Sequence, residues 1–237
     1  MITHAHRHPV SLTLNFAIVV TLLSLTACVT CPRCLAAEND ETEFKPLFDG
    51  KTLDDWEIMG NKKDAFTAED GVLHCHGKGG AWIRYNKREF ENFILRADYK
   101  LDPKTNSGLF IHVTNPKDPV YSSFEVQILD DHGQEPNKHS SGAIYDVATP
   151  MFNMSKPAGE WNEVEICCDN GKVIVRWNGR KVIDCDFNEL TKPIGKFKTP
   201  YAKLGRKGWI GMQDHGHPIW FRNIRIKELP ARAAKAE

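Results

Sequence analysis

From Phe44 to Leu229 the chain alternates apolar and polar residues over short runs broken by Gly, Asn and Asp. Such a period of two is the mark of half-buried strands. Phe93-Ile94-Leu95-Arg96-Ala97-Asp98-Tyr99-Lys100-Leu101 is one such run. Phe44 to Trp56 reads as a short strand and turn carrying Asp49-Gly50, and Gly71 to His76 and Ala81 to Arg84 as further strands. Trp161 to Cys168, Lys172 to Trp177 and Lys181 to Asp186 form a meander, joined by Asp169-Asn170-Gly171 and Asn178-Gly179, turns that tolerate positive φ. Trp209 to Gln213 and Ile219 to Ile226 close the series, and no stretch carries a convincing helical period. Many short strands with Gly and Asn turns predict an all-β fold, a sandwich or jelly roll of two antiparallel sheets.

Alternation also assigns faces. In Asn106 to Val113 and Glu125 to Ile128, it directs Leu109, Ile111, Val113, Val126 and Ile128 into a core. Phe110, His112, Glu125 and Gln127 are then expected on the opposite face, where an acid, an amide and an imidazole beside an aromatic ring suit a carbohydrate groove. Arg84 shares a strand face with Trp82, an arrangement fitted to the hydroxyls and the apolar side of a sugar ring. Asn106, Lys138 and Tyr145 are further polar candidates near this face or its loops.

The first residues concern address. Arg7 and three histidines precede an uncharged run from Val10 to Val29, a pattern read as a secretory signal over 1–37 with no membrane span in the mature domain. Ordinary cleavage after Leu35-Ala36-Ala37 is the favoured reading. Leu25-Thr26-Ala27-Cys28 resembles a bacterial lipobox, so the alternative signal ends before Cys28, which would then carry a lipid anchor. Residues 38–43 read as a linker, 44–229 as one domain and 230–237 as a disordered tail, in a protein exported to the periplasm or beyond the cell. The 31 basic and 31 acidic residues balance, so neither nucleic acid nor an acidic membrane surface is implied, and a neutral partner is expected. Cys75, Cys167, Cys168 and Cys185 lie in the body; Cys167 and Cys168 face opposite ways, so at most one joins the core beside Val164 and Ile166.

Phe48-Asp49-Gly50-Lys51, Asn106-Ser107-Gly108, Glu125-Val126-Gln127-Ile128, Gly142-Ala143-Ile144-Tyr145, Lys156 to Asn162, Asn178-Gly179, Gln213-Asp214-His215-Gly216 and Phe221-Arg222-Asn223-Ile224 occur in this order. Together they resemble the bacterial 3-keto-disaccharide hydrolase domain family over the whole mature chain. The resemblance implies a concanavalin-like jelly roll with a sugar site on its concave face, and cleavage of neutral glycosides or oligosaccharides whose glucose ring a separate sugar 3-dehydrogenase has oxidised at carbon 3. A ketone there acidifies the hydrogen on carbon 2, so a base can remove it and the group on carbon 1 leaves by β-elimination, after which water can add.

That chemistry asks for a base, a donor for the enediolate oxygen and an acid for the leaving oxygen. Glu125 is the expected base or metal ligand and Gln127 the donor, with His112 and His132 as acid, base or ligand. Gln213, Asp214 and His215 are expected at the sugar, with Gly211 opening space and Asp214 orienting a neighbour. The cofactor stays open; a divalent ion would sit with Glu125 and a histidine, where a Lewis acid helps an enediolate. His74 and His76 also share a strand face, a spacing found in ligand pairs and in plain strands alike. Two alternatives stand beside this reading. One is a noncatalytic carbohydrate-binding module. The other is an ordinary glycosidase using Glu125 and Asp130, which needs a bulge, because on a regular strand these two point to opposite faces. Asp130 and Asp131 otherwise read as turn formers, Trp56, Trp161 and Trp177 as core, and 187–205 as a lysine-bearing loop rimming the groove.

Overall fold

A computed structural model of the protein describes residues 41–231 together with Met1. The signal segment, Cys28 and the last six residues lie outside the described residues. Among the described residues thirteen strands follow in order: β1 Lys45–Pro46, β2 Trp56–Met59, β3 Phe66–Glu69, β4 Val72–His76, β5 Ala81–Tyr85, β6 Phe93–Leu101, β7 Asn106–Val113, β8 Phe124–Leu129, β9 Asn162–Asp169, β10 Lys172–Trp177, β11 Arg180–Asp186, β12 Trp209–Asp214 and β13 Pro218–Glu228. One helical turn, Pro119–Ser122, lies between β7 and β8. The strands pair antiparallel into an eight-stranded sheet, β11-β10-β9-β6-β13-β4-β3 with β1 added on β13, and a five-stranded sheet, β2-β5-β12-β7-β8. This is the expected jelly-roll sandwich.

The inner faces carry the apolar half of each alternation. Leu95, Ala97, Tyr99, Val164, Ile166, Val175, Trp177 and Phe221 from the larger sheet share one core with Ile83, Leu109, Ile111, Val126, Ile128, Ile210 and Met212 from the smaller. Cys168 belongs to this core, whereas disulfide-bonded Cys167 turns to a small cluster with Ile94, Ile174 and Leu229 on the outside of the larger sheet. Trp56 and Trp177 are core residues, as expected. Trp161 is not: it lies outside the larger sheet, with the Arg222 guanidinium 3.9 Å and the Lys100 ammonium 5.4 Å from its ring centroid.

Two segments that the alternation left unassigned also take their place. Phe66–Glu69 is a strand although Phe-Thr-Ala-Glu carries little apolar signal; it is an edge strand, held by β4 alone. Gly142 to Val147 is turn structure that meets β8 through a Val126–Ile144 bridge and bonds from Gln127 N–H to the Ala143 carbonyl (3.0 Å) and from Tyr145 N–H to the Glu125 carbonyl (2.9 Å). It covers the free edge of β8 without completing a ladder.

Candidate active site

Pairing within the smaller sheet brings the polar half of its alternation into register. On the outer face, Arg84 of β5 lies opposite Gly211 of β12, Gly211 opposite Phe110 of β7, and Phe110 opposite Glu125 of β8; Trp82 lies opposite Gln213, and Gly108 opposite Gln127. Two glycines make room in this lattice. A Cβ on Gly108 would fall on the Glu125 carboxylate and 2.7 Å from its Cγ, and one on Gly211 would come within 2.7 Å of the Trp82 ring. Gly108 thus seats the acid and Gly211 the indole.

Glu125 is 7% exposed, and burial pushes its carboxyl up to about 7, against a smaller opposing pull from the Lys196 charge. Beside it the buried Gln127 amide donates to Asn106 Oδ1 at 3.0 Å, so Gln127 Oε1 and Asn106 Nδ2 are not used by that bond. The Lys196 ammonium lies 4.4 Å from the ring centroid of Tyr145 and 5.7 Å from that of Tyr121. Toward β5, Trp82 meets Phe110 edge-on at 5.8 Å, and Met59, Lys117, Val120, Gln213 and His215 complete a cleft of about 620 Å³ with them. Gln213 Oε1 is buried there without a hydrogen-bond partner among the described residues.

Asp146, absent from the candidates above, organises the loop over Glu125. Its carboxylate accepts from Lys196 N–H at 2.6 Å, lies 3.1 Å from His139 Nε2 and is ion-paired with Lys138; these contacts hold it down at about 2. Gly195, at φ +57°, packs directly on it, since a Cβ there would strike the carboxylate. The loop 187–205 therefore rims the site through Lys196, as expected. Lys138 lies at this rim with its charge engaged by Asp146, and Tyr201 packs in the core below with the Glu125 charge near its hydroxyl. The partners of Asp146 are up to fifty residues away in sequence, so no local pattern marks it.

Several expected residues lie elsewhere. His112 does not share the Glu125 face. The β7–β12 register slips between Trp209 and Gly211, His112 takes φ +57°, and the alternation inverts, so Val113 joins Trp82 and Phe110 outside. The imidazole turns inward, 5.5 Å from the Phe93 ring and 5.8 Å from Phe124, with Nε2 2.8 Å from the Glu91 carbonyl; burial lowers it to about 4. His132 is exposed in the turn beyond β8, its Nδ1 2.6 Å from the Ser155 carbonyl. A metal shared by Glu125 and one of these two histidines does not fit this placement.

Asp130 accepts from Lys104 N–H at 2.8 Å, and Asp131 from Ser141 N–H at 2.8 Å. The β7–β8 register runs unbroken from Ile111–Phe124 to Asn106–Leu129. No bulge brings Asp130 to Glu125. Arg84 shares the Trp82 face but is bound to Glu57 (2.9 Å from Nε) and lies 4.3 Å from the Trp209 ring centroid. Asp214 is buried, accepting from Gly79 N–H (2.9 Å) and Gly216 N–H (3.0 Å), which shapes the turn that carries exposed His215. A separate depression of about 430 Å³ on the larger sheet is lined by charges paired with one another, such as Arg96 with Glu165 at 2.7 Å.

The same architecture recurs in known proteins. A protein from Parabacteroides distasonis, provisionally described as a glycosyl hydrolase, superimposes with a TM-score of 0.69 at 37% identity, covering 78% of this chain and 99% of that one. A Bacillus subtilis carbohydrate-binding module of family 66, at 11% identity and a TM-score of 0.50 over 73% of this chain and 96% of its own, shares the fold alone. In sequence, the 3-keto-disaccharide hydrolase of Bacteroides thetaiotaomicron is 30% identical over 80% of each chain. The model of the 3-keto-alpha-glucoside-1,2-lyase-like domain matches residues 43–227. The chain belongs to the 3-keto-alpha-glucoside-1,2-lyase-like domain family.

Proposed function

We propose that this protein cleaves 3-keto-glycosides by β-elimination with Glu125 as the base. The observation that carries the reading is a buried carboxyl poised near 7, seated on Gly108, between an aromatic cleft and a lysine. Near neutral pH such a group takes a proton from carbon with the greatest balance of ionised fraction and basicity. Retaining hydrolysis would need a second carboxyl about 5 Å away acting as nucleophile. Asp130 is committed to Lys104, and Asp146 is held ionised by three donors.

In this mechanism the sugar stacks on Trp82 and Phe110, and a hydroxyl donates to Gln213 Oε1. Glu125 removes the hydrogen on carbon 2, and the electron pair moves into the enediolate conjugated with the carbon 3 oxygen. Asn106 Nδ2 and the Lys196 ammonium stabilise that oxygen as donors already in place beside the buried carboxyl. The bond from carbon 1 to the leaving oxygen breaks as the enediolate collapses, and the Tyr145 hydroxyl delivers the proton to that oxygen. Water adding at carbon 1 gives its proton to the Tyr145 oxygen, and Glu125, its proton exchanged with solvent, protonates carbon 2 to complete net hydrolysis; release of the enone instead makes the protein a lyase. The substrate's ketone requires a preceding oxidoreductase acting at carbon 3, and the signal-like sequence pattern of 1–37 supports a reaction outside the cytoplasm.

The test is to incubate the protein with an aryl 3-keto-glucoside and with the unoxidised aryl glucoside. Aryl release from the keto compound alone is the expected result. Release from the plain glucoside would replace elimination by ordinary hydrolysis, and binding without release from either would make the cleft a carbohydrate-binding module.

A further inference from the structure

The outer face of the larger sheet carries a set of donors that the sugar chemistry does not use. Glu69 ends β3, and His74 and His76 lie two apart on β4, the adjoining arm of the same hairpin. One ligand atom from each lies within 4.8 Å of the others. The two carboxylate oxygens divide between the imidazoles, with Oε2 3.8 Å from His74 Nδ1 and Oε1 3.9 Å from His76 Nε2. Those separations are too long for hydrogen bonds. Tetrahedral zinc, with bonds of about 2.0–2.1 Å, sets its ligands roughly 3.3–3.5 Å apart, so the two carboxylate–imidazole pairs need to close by about 0.5 Å and the widest pair of the set by at most about 1.4 Å.

His74 is already fixed for such a role. Its ring stacks on Trp220 at 4.8 Å and 15°, and both of its nitrogens are buried with no hydrogen-bond partner among the described residues. Leaving a buried imidazole unsatisfied is costly, and a coordinate bond at Nδ1 removes part of that cost. Thr67 Oγ1 donates to Glu69 Oε1 at 2.5 Å and lies 2.9 Å from His76 Nε2. On coordination it keeps the carboxylate in place and gives up the imidazole, the kind of outer contact that orients a metal ligand.

We propose that Glu69, His74 and His76 form a divalent transition-metal site for an ion of the zinc class, on the sheet opposite the sugar cleft. Two imidazoles and a carboxylate suit zinc better than calcium or magnesium, which favour all-oxygen shells. The half-exposed position leaves water as the fourth ligand. Because β3 is an edge strand paired with β4 alone, the ion would staple the hairpin to itself and steady that edge.

The test uses the full chain with His4, His6 and His8 replaced by alanine, so that the histidine-rich start adds no sites of its own. Zinc is titrated against a chromophoric chelator, and cobalt(II) is added separately to read the visible bands of a tetrahedral ion. One equivalent of zinc is expected. The changes Glu69→Gln, which keeps the Thr67 bond on a side chain 54% exposed, and His76→Ala should each weaken binding tenfold or more and erase the tetrahedral cobalt spectrum. Sugar cleavage by Glu69→Gln should be unchanged. Unaltered zinc affinity in both variants, or no zinc taken from the chelator by the parent chain, would overturn the proposal.

Discussion

At the scale of single residues, the proposed elimination depends on Glu125 being acid enough to ionise near neutral pH and buried enough to be basic. Replacing it with Gln should lower kcat by roughly 10²–10⁴-fold, the usual range for a lost general base. The same change should stabilise the fold. Between 4.5 and about 7 the unfolded chain has given up the proton that folded Glu125 keeps, so stability declines as pH rises through that window. Denaturant titrations should therefore find Glu125→Gln more stable than the parent by about 1–3 kcal/mol at pH 8, with the difference gone below pH 4.5. His112 acts in the opposite direction. Its folded value of about 4 against 6.5 means that the unfolded chain binds a proton the folded chain refuses, so stability falls as pH drops from 6.5 toward 4. His112→Asn, which tolerates the left-handed backbone, should flatten that slope in acid-unfolding curves. Gly108→Ala tests the seating directly: its methyl displaces the Glu125 carboxylate, so kcat should drop with little change in KM.

At the scale of elements, the decisive one is the loop 187–205, fastened by Asp146 so that Lys196 lies over Tyr145. Lysine's charge lowers the Glu125 pKa. Removing it in Lys196→Met should shift the acidic-limb midpoint of the kcat/KM profile, which ionisation of the base sets, to higher pH and reduce its plateau. Asp146→Asn should move the profile the same way if it acts by holding Lys196, whereas a purely structural role would lower stability and leave the midpoint in place. Elements were also where sequence patterns misled. The alternation placed Leu109, Ile111, Val126, Ile128, Phe110, Glu125 and Gln127 on their true faces because β7 and β8 pair without a slip there. It misplaced His112 and Val113 because the bulge opposite Trp209 adds a residue that only the neighbouring strand reveals. β3 escaped notice because an edge strand needs little apolar content, and Asp146 because its bond to Lys196 spans fifty residues.

At the scale of the whole molecule, the two sheets divide the work. The smaller holds the candidate cleft, built from glycines that admit Glu125 and Trp82, while the larger supplies half of the core and the separate Glu69–His74–His76 cluster on its far side. The jelly roll was legible in the spacing of strands and Gly or Asn turns, and the family in motifs that now have physical reasons. Asn106-Ser107-Gly108 holds the Gln127 amide and seats the acid, Gly142 to Tyr145 covers the edge beside it, and Asp214-His215-Gly216 shapes the cleft's rim. Among the described residues no helix is long and apolar enough to cross a membrane. The most direct measurement follows the hydrogen on carbon 2 of a 3-keto-glucoside during turnover in heavy water, read by proton NMR at early times against an enzyme-free control. Elimination by Glu125 predicts that this hydrogen is lost, leaving an enone or a hydrated product with solvent deuterium at carbon 2, and that Glu125→Gln stops the loss. Product that keeps its original hydrogen at carbon 2 would contradict the mechanism.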